Sequence, residues 1–445
     1  MAMLMSACPA LMEPNPGDDR SNSDEDNAIP FESVSLKGAF VSLGGPSLDS
    51  YYSSDGINWH KAVLPHYIAS IGGKLFAIDF DGSMYCSANG SDWQKAVLPS
   101  GVTHIQDIVY GGGIFVGKIY FGVWPINDAS YYYTRGMCYS TDGITWDRVT
   151  LPPEIDSYWS IRRIVYDGGK FVGIGLPKDR NRKIDGGLFY STNGSTWQKA
   201  TTPSGLFVDH PDMGFDIICN GGIFITTTDN RPLYSTNGIS WQIATLPSGV
   251  NYIFSASFYY DFFTYNPLNY SYNFKGVVYV GEKFFVGTNG ASLCYSTDGS
   301  TWSKVNLPID IITERLRIFY ANGKYVCSGG LDMVVPCYST DGITWTEAAL
   351  PSGADSINVI YCGGGKFFGS VPNGGIYYST DGITWNKTTL PVSYIKNIVY
   401  GNGKFVVTGY DENDLYLGSY YSTDGITWQK TPGATLLYGD IEFFQ

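Results

Sequence analysis

One seven-residue pattern, Ser-x-(Asp/Asn)-Gly-x-x-Trp, begins at Ser53, Ser87, Ser140, Ser191, Ser235, Ser296, Ser339, Ser379 and Ser422. These nine copies use nine of the 11 tryptophans in the 445-residue chain. Residues 377–385 and 420–428 read identically as YYSTDGITW, and Tyr precedes the Ser in every copy except the second, where Cys86 stands. A Pro follows six residues after the Trp in eight copies, from Pro65 to Pro391. Self-similarity on this scale excludes most folds before any other property is considered, because each copy must be one supersecondary unit packed on its neighbours.

Each unit divides into four strand-like segments. Segment A is an apolar run such as IVY in IVYGGGIFVG at 108–117, IVYDGGKFVG at 164–173 and IVYGNGKFVV at 398–407, and B is the K-F-V run after its Gly-rich turn. Segment C is Tyr-Tyr-Ser, and D runs from I-T-W to the Leu-Pro. Four short strands per unit at a repeat of 34 residues (Ser53 to Ser87) to 61 residues (Ser235 to Ser296) match a β-propeller blade. A solenoid would need terminal caps, whereas the first and last copies resemble the middle ones. The expected fold is all-β: a β-propeller of about nine four-stranded blades, with eight or ten open if a copy is irregular. The expected boundaries are an N-terminal arm or linker at 1–30, a propeller at 31–434 and a C-terminal strand or tail at 435–445. The blades are expected at about 31–65, 66–99, 100–152, 153–203, 204–247, 248–308, 309–351, 352–391 and 392–434. FESVSL at 31–36 is expected to be the A strand of blade one. The tail is then left over, to latch the ring or dock elsewhere.

S-T-D-G-I-T-W resembles the Asp-box, or BNR repeat, of sialidases and other Asp-box propellers, although here Gly follows the Asp directly. The YYSTDGITW spelling is similar to repeats in tail and fibre proteins of phages and prophages. The resemblance covers roughly residues 31–434. It implies the propeller fold, and it implies a particle-associated chain without fixing an activity. The residues themselves point to a structural role for the boxes. Asp-Gly or Asn-Gly between alternating strands suggests a two-residue hairpin, Ser and Asp side chains suit turn N–H groups, and the Trp suits the wedge between blades. The structural set is Ser140, Asp142 and Trp146; Ser296, Asp298 and Trp302; Ser339, Asp341 and Trp345; Ser379, Asp381 and Trp385; and Ser422, Asp424 and Trp428. One carboxylate per box falls short of the six to eight oxygens of a Ca²⁺ site, so no metal and no cofactor is expected.

Antiparallel strands put the A–B and C–D turns on one face and the B–C turn and D–A crossover on the other. The first pair keeps nearly constant length, and the second carries nearly all the variation. Long loops on a rigid scaffold carry function, and Tyr and Trp there give contact area at low entropic cost. The candidate ligand-binding residues are therefore Tyr120, Trp124, Tyr131, Tyr132 and Tyr133 in blade three, Tyr158 and Trp159 in the next crossover, Arg180 and Arg182 in blade four, and Tyr259, Tyr260, Tyr265 and Tyr270 in the longest crossover. Glycan or receptor contact, assembly with a neighbouring subunit, and packing of the loops on themselves are the readings open for them.

A formal charge of −13 argues against a phosphate-binding surface, so nucleic acid is not an expected partner. No Arg-Ile-Pro signature, dinucleotide fingerprint or metal-ligand His spacing is present, and no two carboxylates are paired by the sequence. No enzyme is expected, with a glycan-active hydrolase of sialidase-like fold as the alternative. Cys138, Cys294 and Cys337 share one repeat position in different units, too distant to pair with one another, and read as apolar core residues. Unpaired thiols and no charged leader suggest folding in a reducing cytosol. Met5-Ser6-Ala7-Cys8 only loosely resembles a lipidation box, and no stretch is long and apolar enough to span a membrane. The expected function is a virion or tail-associated β-propeller that binds a host-surface glycan or receptor, or a neighbouring virion subunit, through the long loops. Residues 1–30 or the tail would attach it to other virion proteins. The alternatives are a secreted or cell-surface protein, or a cytosolic interaction scaffold.

Overall fold

The computed structural model describes residues 32, 34–43, 49–65, 67–79, 82–102, 104–120, 136–152, 160–176, 187–204, 217–228, 231–250, 277–288, 292–308, 317–328, 335–371, 375–410, 416–432, 437 and 441–445. Their strands form nine four-stranded antiparallel sheets, the blades of a β-propeller. In blades two to nine the order within each sheet follows the chain, as in Tyr67–Ile71, Lys74–Ile78, Met84–Ser87 and Gln94–Lys95 for blade two. Blade three runs His104–Gly111, Ile114–Tyr120, Met137–Ser140 and Asp147–Arg148.

The core is divided among the blade-to-blade joints. Nine clusters of buried side chains each span two consecutive blades, and the ninth joins blade nine to blade one. Strands rich in Phe, Val and Ile bury both faces because each sheet is covered on both sides by its neighbours. The B strands show it: Phe171, Phe224, Phe284, Phe285, Phe367 and Phe368 are among the largest fully buried side chains.

Ring closure departs from the sequence reading. FESVSL does not form the A strand of blade one; among its described residues none is in a strand. The sheet of blade one comprises Ala39–Ser42, Ser50–Ser53 and His60–Ala62, and its fourth strand is Ile441–Phe444 from the far end of the chain. Phe40 pairs with Phe443 and Ser42 with Ile441. The physical reason is apolar content: Ile441, Phe443 and Phe444 are 0%, 6% and 3% exposed, whereas 34–37 places only Leu36 in the core. The 32–37 segment instead lies along the joint of blades one and two. Glu32 N–H donates to Val63 O at 2.9 Å, and Leu36 N–H to Asn89 O at 3.2 Å.

The two kinds of turn also exchange roles. The two-residue hairpin expected at Asp-Gly occurs at the A–B turn, where both residues are left-handed: Gly112 and Gly113 at φ 58° and 81°, Asn322 and Gly323 at 51° and 75°, Asn402 and Gly403 at 46° and 73°. The C–D turn is wider. In blade three Tyr139 pairs with Asp147, leaving Ser140 to Trp146 between the strands. Within it Gly143 is left-handed at φ 75°, and Asp142 is not among the left-handed residues. The I-T-W run therefore belongs to the turn, and the outermost D strand shrinks to two or three residues such as Gln198–Lys199. Such short edges, carrying exposed Lys, leave little backbone open to pairing with another chain.

Deleting residues 441–445 removes three buried apolar side chains at about 1.5–3 kcal/mol each, roughly 5–9 kcal/mol in all. Denaturant unfolding is expected to show that loss, and a variant as stable as the intact chain would mean that the ring does not depend on this strand.

Candidate functional site

The repeated turn is built from its own side chains. In blade three the Gly143 N–H donates to Ser140 Oγ at 2.8 Å, and the Ile144 and Thr145 N–H groups both donate to Asp142 Oδ1 at 2.8 Å. Ser140 Oγ–H donates to the same carboxylate oxygen at 2.9 Å. Copies with Asn use its amide oxygen in the same way, as at Asn193 with Ser195 at 3.1 Å and Thr196 at 2.9 Å. Only an acceptor is needed, which is why Asp and Asn interchange. The indole N–H of Trp146, Trp197, Trp302 and Trp345 closes back onto the turn, donating to the carbonyls of Gly143, Gly194, Gly299 and Gly342 at 3.0–3.1 Å.

The turn then locks onto the preceding blade. Trp146 belongs to the core cluster of blades two and three, and Trp385 to that of blades seven and eight. A Cβ on Gly143 would lie 2.9 Å from Phe76 and 3.0 Å from Cys86 of blade two, and one on Gly382 only 2.3 Å from Val326 of blade seven. Backbone hydrogen bonds stitch the same joints: Val97 N–H to Ile144 O at 2.8 Å and Trp146 N–H to Val97 O at 3.0 Å, with counterparts at Thr150, Thr201 and Thr245. The Tyr before the Ser points the other way, with Tyr139 packing on the cluster of blades three and four. One spelling thus serves two joints.

A second contact works nearer the axis. Tyr110, Tyr166, Tyr320 and Tyr400, at the ends of their A strands, rest against Gly72, Gly111, Gly281 and Gly364 in the preceding blade, where a Cβ would come within 2.1–2.8 Å of the ring. Asn322 Nδ2 of blade seven donates to Gly365 O at 2.8 Å and Thr380 O at 2.9 Å, an A–B and a C–D turn of blade eight. Asn402 does likewise to Gly38 and Ser54 of blade one at 2.8 and 3.1 Å. These bonds place both kinds of turn on one face.

That face is electrostatically self-contained. Burial pushes the Asp55 carboxyl up, but the Asn58 and Ile57 backbone N–H groups and the Asn58 and Ser53 side chains together hold it down at about 2. Burial opposes and hydrogen bonding wins likewise at Asp142, Asp298, Asp381 and Asp424, while at Asp341 the Thr344 and Ile343 N–H groups are the leading cause. The six carboxylates are therefore ionised acceptors, not proton donors. Among the described residues no three of His, Cys, Asp or Glu come together to hold a metal ion. No helix among them is long and apolar enough to cross a membrane. The cysteines at the shared repeat position, Cys138, Cys294 and Cys337, are fully buried, and burial raises Cys138 to about 12 and Cys294 to about 11.

The opposite face is where the long connections leave. Trp124, Tyr131, Tyr132, Tyr133, Tyr158, Trp159, Arg180, Arg182, Tyr259, Tyr260, Tyr265 and Tyr270 lie outside the described residues. The backbone of Tyr120 ends the B strand of blade three, paired with His104 at the base of its long B–C connection. Blade nine shows a described base: Tyr410 and Tyr416 flank its B–C connection edge to face, 5.4 Å apart. Tyr67 and Tyr394 open the A strands of blades two and nine on this face, each 42% exposed. The sequence reading passed over both, though their place at the start of an A strand after a Pro is visible in it. Inner strands of blades three, four, eight and nine carry register shifts in their first half, on this same side, as between Ile395 and Asn397. Bulges there re-aim side chains along the inner wall.

No protein-family model matches the sequence, and no curated protein matches it. Among solved structures the chain is similar to YCF48 from Cyanidioschyzon merolae at 12% identity, over 83% of this chain and 95% of that one, with a TM-score of 0.36. It is similar to BamB from Moraxella catarrhalis at 9% identity, over 77% and 93% of the two chains, with a TM-score of 0.35. The GH74 enzyme of Niastella koreensis is 15% identical over 91% of this chain and 87% of its own, with a TM-score of 0.25. The nine-bladed architecture rests on the sheet order and the joints rather than on these likenesses.

Two pairs of variants test the corner. Gly323→Ala, at φ 75° with nothing within 4 Å of a Cβ, should cost about 1–2 kcal/mol from left-handed strain alone. Gly382→Ala, at φ 71° against Val326, should add an overpacking cost of about 1–3 kcal/mol. Equal losses in denaturant unfolding would contradict a close-packed joint. Asp381 accepts from Ile383 N–H at 2.8 Å and Thr384 N–H at 2.9 Å, so Asp381→Ala should cost about 1–2 kcal/mol at neutral pH and Asp381→Asn far less. Because the folded carboxyls are depressed, their contribution is full above about pH 4 and falls away as acid titrates them, reaching Asp55 near pH 2. Stability measured down that range should drop for the parent and drop less for Asp381→Asn.

Proposed function

We propose that the chain is a non-enzymatic binding propeller whose ligand face is the one bearing the B–C turns and D–A crossovers. The observation that carries this reading is the division of labour between faces. On one, the Gly and Trp of the C–D turns and Asn322 and Asn402 of the A–B turns meet the neighbouring blade, while each box Asp or Asn is taken up by the N–H groups of its own turn. Length and composition vary freely only on the other, where aromatic residues gather in the connections of blades three, four and six.

The ligand class is a host-surface glycan. Tyr and Trp faces stack on the C–H faces of sugar rings, and Asp, Asn and Arg nearby suit hydroxyl and carboxylate groups. Tyr120, Trp124, Tyr131, Tyr132, Tyr133, Tyr158, Trp159, Arg180, Arg182, Tyr259, Tyr260, Tyr265 and Tyr270 are the proposed contacts. The similarity of YYSTDGITW to phage and prophage tail repeats supports display on a virion. Since Ile441–Phe444 is built into blade one, attachment to other particle proteins is assigned to residues 1–30. The ionised, hydrogen-bonded state of the six box carboxylates supports a binding role over acid–base catalysis at the boxes.

A glycan array probed with the intact chain should show saturable binding to a defined set of structures. Replacing Trp124, Tyr131, Tyr132 and Tyr133 together by Ala should weaken it at least tenfold, with the nine-bladed fold unchanged by circular dichroism. No binding, or binding untouched by the four changes, would overturn the assignment.

A further inference from the structure

Blade seven contains a feature that the repeat does not require. Its B strand, Lys324–Ser328, pairs antiparallel with its C strand, Cys337–Ser339, so that Cys327 stands directly opposite Cys337. Directly opposed residues in antiparallel strands have Cα atoms about 4.5–5.5 Å apart, inside the window of about 4.4–6.8 Å that a disulfide needs. Both side chains belong to the core cluster facing blade six and are fully buried. They therefore leave the sheet on the same side. Both are free thiols in this state, and the Cys337 thiol donates to Val335 O at 3.8 Å.

The same cross-strand position in other blades shows that packing does not call for two cysteines. It holds Gly173 opposite Phe189, Gly369 opposite Tyr377, Ala77 opposite Tyr85 and Gly117 opposite Cys138. In these four pairs a small residue faces its partner, whereas blades five, six and nine place Thr226 opposite Leu233, Val286 opposite Cys294 and Val407 opposite Tyr420. Blade seven differs from all of these in placing cysteine on both strands. The pair also stands at the root of the B–C connection, residues 329–336, on the face where connections vary.

We propose that Cys327 and Cys337 are a thiol pair that oxidises to a cross-strand disulfide at the root of the 329–336 connection of blade seven. Glutathione disulfide is the oxidant. One thiolate of the pair attacks it, releasing a first reduced glutathione and leaving a mixed disulfide; the second thiolate then attacks the protein sulfur, forming the Cys327–Cys337 bond and releasing a second reduced glutathione. Two electrons pass from the pair to the oxidant, and the two thiol protons end on the two glutathiones. Burial and the neighbouring Cys337 keep the Cys327 thiol well above its ordinary value, so the native pair reacts slowly. Cys337 is the first residue of its strand, and local opening at that end gives access. The inference is independent of what the ligand face binds.

Incubating the full chain in a glutathione redox buffer at mildly alkaline pH, with and without sub-denaturing urea, followed by non-reducing peptide mass spectrometry, tests it. A peptide linked through Cys327 and Cys337, lighter by about 2 Da than its reduced parts, is the expected product, formed faster in urea. Limited proteolysis within 329–336 should slow at least severalfold in the oxidised protein and recover on reduction. Cys294→Ser, at the equivalent C-strand position of blade six, should leave the link unchanged, while Cys327→Ser should abolish it. Alkylation of both thiols after urea exposure, or linkage of Cys327 to any other cysteine, would overturn the proposal.

Discussion

The structure depends on one close approach: the Gly of the Ser-x-(Asp/Asn)-Gly-x-x-Trp turn pressed against the B strand of the blade before it, with Gly90 of blade two pressed instead against Leu36. At Gly143, Gly238, Gly299 and Gly425 a single added carbon would stand 2.8–2.9 Å from a buried side chain of the neighbour. No other residue combines a left-handed φ with that absence of bulk. Everything else in the motif serves the same approach. Asp and Ser hold the backbone in the wide turn that reaches across, and Trp fills the space behind it. The Thr or Ser before the Trp pairs in parallel bridges with a residue just beyond the preceding outer strand, as Thr145 with Val97 and Ser240 with Thr201.

Because each joint is a copy of the last, closing the ring is the one step that repetition cannot supply. A chain of identical units ends with one open edge at each end. Here both edges meet in blade one, where Phe443 lies 4.9 Å from Phe40 and Leu437 is buried between blades nine and one. Closure by a strand from the opposite terminus makes the first and last blades interdependent, since loss of either leaves the other with an unpaired edge. At the joint of blades one and two, the 32–37 segment takes the position that an outer-strand stitch holds elsewhere.

The same economy explains why one face is constrained and the other is not. A–B turns are bound by the Tyr of the next blade and C–D turns by the stitch, so neither can lengthen without opening a joint. Among the described residues the ends of the B–C turns and D–A crossovers show no lock of that repeated kind, the bond from Ser328 Oγ of blade seven to Ile357 O of blade eight at 3.2 Å being particular to its joint. Much of this was legible in the sequence: the blade number from nine Trp copies, the four-strand unit from A to D, and the opposition of the two faces from antiparallel parity. The assignment of the two-residue hairpin was not. Asp-Gly has the chemistry of a tight turn in isolation; here the Ser140 and Asp142 side chains hold a wider one, and it is docked by the Trp146 N–H bond to Val97 O of the neighbouring blade. The A strand of blade one was misplaced for a related reason. FESVSL and IEFF carry similar local preferences, and burial against Phe40 and Val406 decides between them.

By itself the sequence determined the repeating unit, its apolar strands and the residues able to hold a corner, because those are properties of each short segment and of its periodicity. Only the tertiary structure decided which segment closes the ring, which turn is tight, and that Cys327 and Cys337 face each other. The reason is physical: those outcomes depend on contacts between residues far apart in the chain, such as Ser42 with Ile441, where local preference is silent and close packing selects one arrangement.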